Sequence, residues 1–223
     1  MGVEHAVSSA APIPFRPASS RDDILMAARA EFADHGFDGA RLQAIAARGG
    51  VRHPTLLYHF ESKELLYRAV IESVVGDWAI ETEAAISTGL RGFDQVAALV
   101  DAGFRFFERN RDFVRIVGRE AIEGGGRMEA QMAEFVRPFL DDAVRFLRRE
   151  MRAGRLRRHD PLELMQVCYG AVFTYFSDAR FRANLTGEDP LAAAALRRHK
   201  RALLKLLGAA LEPPRRGREG SGE

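Results

Sequence analysis

Residues 41–60 of the 223-residue chain read RLQAIAARGGVRHPTLLYHF. The stretch carries Arg41, Arg48, Arg52, His53 and His59 and not one acidic residue. Leu42, Ile45 and Ala46 recur at helical spacing. Gly49-Gly50 then breaks the pattern, and Val51, Leu56, Leu57 and Phe60 supply the apolar side of a second short helix. Two short helices joined by a tight glycine turn, the second preceded by exposed cations, make the pattern of a helix-turn-helix.

Upstream, residues 1–19 are rich in Ala, Ser and Pro without periodicity and are expected to form a disordered arm. Ser20 fits the N-cap of a first helix, with Asp22 and Asp23 near the positive end of its dipole. Ile24, Leu25, Ala28 and Phe32 form its apolar stripe. Gly36 is placed to end it, and Phe37 to turn back toward the core.

Downstream, Ser62 fits the N-cap of a long helix from about Lys63 to Ile86, a span of about 35 Å at 1.5 Å per residue. The pattern stays helical to the end, with no alternating strand. Helices are expected over about 93–109, 112–123 and 127–153, the last containing Pro138. Asp160-Pro161 should open a helix to about Phe181, and Asp189-Pro190 a final one to about Leu211. Residues 212–223 read as a disordered tail. The expected architecture is all-α with nine helices: a three-helix helix-turn-helix domain over residues 20–66, and a second helical domain over 67–211.

Bulk properties narrow the function. Hydrophobic residues make up 47% of the chain and charged residues 29%, the balance of an ordinary globular protein. No apolar run approaches the roughly 18 residues that span a bilayer, and the N-terminus lacks a signal-peptide pattern. A single cysteine, Cys168, fits a reducing cytoplasm and excludes an internal disulfide framework. The six histidines show no metal-ligand spacing. There is no GxSxG elbow, and the Gly124–Gly126 run lacks the Lys-Ser/Thr of a phosphate loop. No catalytic, metal or cofactor site is expected, so the chain is not read as an enzyme.

A recognition helix reads bases through its N-terminal residues, here Arg52, His53, Pro54 and Thr55. An arginine can donate two hydrogen bonds to a guanine edge. Arg41, Tyr58, His59 and Lys63 can anchor phosphates, and Gln43 belongs to the same candidate set. From charge alone, a solvated face between two buried helices explains the cluster equally well.

The segment from Ile24 to Val70 resembles the DNA-binding domain of the tetracycline-repressor (TetR) family of transcriptional regulators. The resemblance rests on Ala27-Ala28, Phe32, Gly36-Phe37, Ile45-Ala46, Gly50-Val51, Thr55-Leu56, His59-Phe60 and Ser62-Lys63. It implies a nine-helix fold, homodimerisation and ligand-controlled binding to a palindromic operator on double-stranded DNA. Two positions depart from the family pattern. Ala40-Arg41 stands where a Thr or Ser usually begins the second helix. Leu57 stands where a Tyr is common, with Tyr58 one step on and about 100° further around the helix.

Large apolar residues of the second domain are candidates for a pocket holding a small hydrophobic effector: Trp78, Phe104, Phe107, Phe113, Met128, Met132, Phe135, Phe139, Tyr169, Phe173 and Phe176. A packed core is the competing reading of each. Arg105, Arg119 and Arg137 are placed either to neutralise an acidic ligand or to face solvent. Ala171, Ala179, Leu196, Leu203 and Leu207 lie on the last two expected helices, which carry more leucine and alanine than one core-facing side needs. They are candidates for a four-helix homodimer interface. Two alternatives remain: a DNA-binding dimer without an effector, and a helical protein-interaction module.

Overall fold

The computed structural model describes residues 20–123 and 126–214, and of residues 123 and 126–132 the backbone alone. The expected arm over 1–19, residues 215–223 of the expected tail, and Gly124-Gly125 lie outside the described residues. Among the described residues ten helices form: α1 Ser20–Gly39, α2 Leu42–Arg48, α3 His53–His59, α4 Lys63–Ile86, α5 Gly92–Arg109, α6 Arg111–Glu123, α7 Gly126–Arg152, α8 Pro161–Ser177, α9 Ala179–Thr186 and α10 Ala193–Leu211. No strand occurs among the described residues. No helix among them is long and apolar enough to cross a membrane.

The expected all-α fold is present, with one helix more than expected. The helix that should run from Asp160 to about Phe181 stops at Ser177, and α9 follows. Asp178 sits between them at φ −95°, ψ 13°, where its backbone N–H reaches the Thr174 carbonyl and its carboxylate accepts from the Ser177 hydroxyl at 2.9 Å. Adjacent Ser and Asp side chains offer local bonds that compete with helix propagation. The last helix also starts later than expected. Asp189 accepts from the Leu191 N–H at 2.9 Å in a tight turn, the Tyr175 hydroxyl bonds the Pro190 carbonyl at 2.8 Å, and α10 begins only at Ala193.

Two caps fall where the side chains dictate. The Ser62 hydroxyl accepts from Leu65 N–H, and the Asp160 carboxylate accepts from Leu162 and Glu163 N–H with Pro161 next in line. Gly36 adopts φ 69° and kinks α1, which turns Phe37 inward. There Phe37 and Phe32 meet Tyr67 of α4 edge-on, at 5.2 and 4.9 Å between centroids. A single apolar cluster then continues from Leu66, Val70 and Val74 of α4 into α5, α6, α8 and α10. The α4 helix therefore carries the first three helices on the body of the protein.

Candidate nucleic-acid interface

Ile24, Ala28 and Phe32 of α1, Ile45 of α2 and Leu56 of α3 are wholly buried against one another. Full burial of an Ile, Leu or Phe side chain contributes about 1.5–3 kcal/mol, so these residues fix the relative placement of the three helices. The turn between α2 and α3 depends on both glycines, for different reasons. A Cβ on Gly49 would lie 3.3 Å from the backbone oxygens of Asp23 and Ile45, a tight approach that glycine avoids where α2 ends against α1. Gly50 adopts φ 66°, the left-handed conformation in which its N–H can bond the Ala47 carbonyl.

With the apolar sides buried, the cations face outward. Arg41, Gln43, Arg52, Pro54 and Tyr58 are exposed, and His53, Thr55, His59 and Lys63 are half-buried. Arg52 holds the extended N-cap position of α3, so His53, Pro54 and Thr55 form its first turn. Tyr58 is 84% exposed and its ring lies 5.3 Å from that of His59. Arg41 precedes α2 in extended conformation. Lys63 differs from the others. Its ammonium donates to the Asp38 carbonyl at 3.2 Å and lies 4.8 Å over the Phe37 ring, which ties the start of α4 to the end of α1.

Arg48, the remaining arginine of the basic stretch, is exposed but engaged by Asp34 at 3.1 Å and by Glu31 at 3.8 Å. Asp34 also accepts from Arg115 of α6 at 2.8 Å, and its backbone carbonyl accepts from Arg119 at 3.1 Å. Hydrogen bonds from Arg115 and then Arg48 hold the Asp34 carboxyl below its ordinary range. Tyr67 of α4 reaches Glu120 of α6 at 3.1 Å, and Arg29 of α1 bonds Asn110 at the head of α6. Sequence reasoning did not identify this polar seam between the helix-turn-helix and α6.

In the body of the protein, the aromatic residues proposed as pocket lining separate. Phe104, Phe107, Phe113 and Phe176 are buried, Trp78, Phe135, Phe139 and Phe173 half-buried, and Tyr169 exposed. The Met128 and Met132 side chains lie outside the described residues. The rings pack on each other: Phe107 with Phe173 at 5.7 Å and Phe176 at 5.9 Å, Phe106 with Trp78 at 5.2 Å. Arg105 is paired with Glu81 of α4 at 2.9 Å and with Asp101 of its own helix. Of the other two arginines, Arg119 belongs to the Asp34 seam and Arg137 is exposed.

The candidate interface residues are mostly spent on the subunit itself. Leu196, Leu203 and Leu207 are core residues, Ala179 is buried, and Ala171 is half-buried against the core. Leu203 is 8% exposed while Leu206, on another side of α10, is 70% exposed. The outward apolar surface of α8 and α10 includes Leu162, Val167, Tyr169, Ala202, Leu206, Ala209 and Ala210, of which Leu206 and Ala210 belong to the leucine- and alanine-rich pattern of the last helix.

A three-helix head whose second and third helices expose an acid-free basic surface, mounted by one long helix on an all-helical body, defines a helix-turn-helix DNA-binding regulator. Residues 24–70 match the model for bacterial regulatory proteins of the tetR family, and residues 93–206 match that for the tetracyclin repressor-like C-terminal domain. The chain belongs to the tetR family and is a transcriptional regulator of the helix-turn-helix type. It is 28% identical over 155 residues to the regulator RutR of Escherichia coli K12, covering 68% of this chain and 71% of that one. It is 34% identical over 97 residues to the transcriptional activator FasR of Mycolicibacterium smegmatis, 44% of each chain. FadR from Bacillus subtilis, solved in complex with stearoyl-CoA, shares the fold with a TM-score of 0.67 at 17% identity, covering 83% of this chain and 96% of that one.

Proposed function

We propose that the chain is a homodimeric, effector-responsive repressor acting in the cytoplasm, where its operator DNA lies. Residues 20–66 read a palindromic site, and residues 67–211 dimerise and bind a small hydrophobic effector. The observation that carries the reading is the outward presentation of Arg52, Pro54, Arg41 and Tyr58 from helices whose apolar sides are buried. Arg52 with His53, Pro54 and Thr55 reads base edges. Arg41, Gln43, Tyr58, His59 and Lys63 hold phosphates. The two recognition helices enter major grooves about 34–36 Å apart. The outward faces of α8 and α10 form the subunit contact.

An effector in the body changes the preferred spacing of the heads through α4 and α6. DNA and effector then weaken each other's binding by the same factor. The related FadR binds stearoyl-CoA, and the aromatic content of α5 and α8 suits an apolar ligand. A second reading, the same dimer without an effector, is favoured by the close ring packing around Phe107.

Selection of genomic fragments followed by mobility shift tests the proposal. Bound fragments should share a two-fold symmetric site and release the protein on addition of stearoyl-CoA or another apolar effector. Binding without a symmetric site would refute the operator reading. Binding that no apolar ligand alters would favour the second reading.

A further inference from the structure

Residues 145–159 read RFLRREMRAGRLRRH, with seven arginines and a single acidic residue in a chain whose net charge is only +2. The DNA-reading surface does not explain this concentration of charge. Gly92, which opens α5 just beyond the far end of α4, donates its N–H to Glu150 in the last turns of α7 at 2.9 Å. The basic stretch therefore lies at the end of α4 opposite the helix-turn-helix, the length of a 24-residue helix away, or about 35 Å.

Part of the charge is internally balanced. Arg155 and Arg149 pair with Glu150, and Arg145 pairs with Asp142. The rest is not: among the described residues Arg148, Arg152, Arg157 and Arg158 form no ion pair, and all four are exposed. Arg148, Arg152 and Arg158 line one concavity of about 240 Å³ together with His159, over a floor of Met151 and Pro161. The His159 side of this concavity is fixed. His159 Nε2 bonds the Ala210 carbonyl at 3.1 Å, and the Arg157 N–H bonds the Leu211 carbonyl at 2.8 Å, so the connector between α7 and α8 is tied to the end of α10. The nearest carboxylate in sequence, Asp160, is engaged in capping α8 at 2.8 and 3.1 Å.

We propose that this concavity is a binding site for a small phosphate-bearing molecule with two or more negative charges. Guanidinium forks match phosphate oxygens bidentately, and the charge of three arginines lining one hollow would over-neutralise a single carboxylate. The volume falls below that of a pocket for a whole drug-sized ligand, and suits a pyrophosphate-sized group with the remainder of the molecule over Met151 and Pro161. The site is separate from the aromatic cluster and stands whether or not that cluster takes an effector.

The test is calorimetric titration of the full chain with sodium pyrophosphate, and in a second arm ADP, at constant ionic strength set with NaCl. Saturable binding is expected, weakened at least about tenfold by R148E/R152E, because each charged hydrogen bond removed is worth about a factor of ten. The exposed pair R180E/R197E should leave it unchanged. The affinity for duplex DNA should be the same in R148E/R152E and in the wild type. Absent or unsaturable binding, equal weakening by R180E/R197E, or a parallel loss of DNA affinity would overturn the proposal, the last by making the patch a second nucleic-acid contact. If R148E/R152E lost its helical circular dichroism, Arg152→Gln would be carried through the same comparisons.

Discussion

Asp34 of α1 and Arg115 of α6 are separated by 81 residues of chain and meet at 2.8 Å. The same carboxylate holds Arg48 of α2 at 3.1 Å, so one side chain joins the helix-turn-helix to the body of the protein. Partly exposed ion pairs of this kind contribute up to about 1 kcal/mol together. Asp34→Asn should lower the melting temperature by about 2–4 °C at neutral pH, measured by scanning fluorimetry. The sign of the pH dependence follows from the lowered pKa. The contribution is complete above the ordinary value of 3.8 and is lost as pH falls through the lower folded value, so the two proteins should converge only in that acid range. A double-mutant cycle with Arg115→Gln should show the pair to be non-additive, and strict additivity would mean that the contact does not join the two parts energetically.

Glu150 is a stronger case, because it is 1% exposed. It accepts from Arg155 at 2.6 and 2.9 Å and from the Gly92 N–H, and the Arg155 hydrogen bonds lead in holding its pKa at about 2. Glu150→Gln should destabilise the protein by about 2 kcal/mol at pH 7, since a buried amide cannot replace a carboxylate bonded to a guanidinium. The difference should shrink progressively as pH falls from about 4.5 through about 2, as wild-type Glu150 itself takes up a proton. Urea titrations across that range measure it, and a difference constant with pH would mean that packing alone is responsible.

These two sites mark what the sequence leaves unread. Ser62 and Asp160 cap as expected, and Ile45 and Leu56 are buried as expected, because helix ends and helix faces are encoded within a few neighbouring residues. Asp34–Arg115 and Glu150–Gly92 are encoded by nothing local, since any exposed arginine could satisfy the same aspartate. The outer helices fail for a related reason. In α10 the leucines at 203, 206 and 207 all read as apolar, and their pattern does not say which of them faces the subunit's own core. Asp178 and Asp189 show how one residue type can cap a helix, break it or close a turn, with the outcome set by neighbours such as Ser177 and Tyr175.

Within the head, position separates the roles of two exposed arginines. Arg52 stands at the N-cap of α3, where its fork can reach a base edge, whereas Arg41 stands ahead of α2. Arg52→Ala should cost about 1–3 kcal/mol on the selected site and relax preference at one position per half-site. Arg41→Ala should weaken all sequences alike and reduce the slope of log affinity against log salt by about 1 for each phosphate that Arg41 neutralises. Fluorescence anisotropy on selected and scrambled duplexes at several salt concentrations distinguishes them. If both variants bound all sequences uniformly more weakly, Arg52 would be a phosphate anchor as well. Lys63→Ala is expected to show an additional loss of stability, because its ammonium also holds the Asp38 carbonyl and the Phe37 ring.

The proposed subunit contact can be tested by the difference between neighbouring leucines of α10. Leu206 is 70% exposed and Val167 of α8 61%, whereas Leu203 is 8% exposed within the core of its own subunit. A charge placed at an outward position of a two-fold interface appears twice and meets its own copy or the partner's apolar surface. Leu206→Asp with Val167→Glu should therefore yield a folded monomer, with helical circular dichroism retained and half the mass by light scattering at micromolar concentration. The monomer should bind a half-site but lose the affinity that simultaneous engagement of two half-sites provides. Leu203→Asp should instead unfold the subunit, because an aspartate there is buried without a partner. A double variant that remained dimeric would move the subunit contact away from the outward faces of α8 and α10. Retained folding in Leu203→Asp would show that this side of α10 is not as closed as its burial indicates.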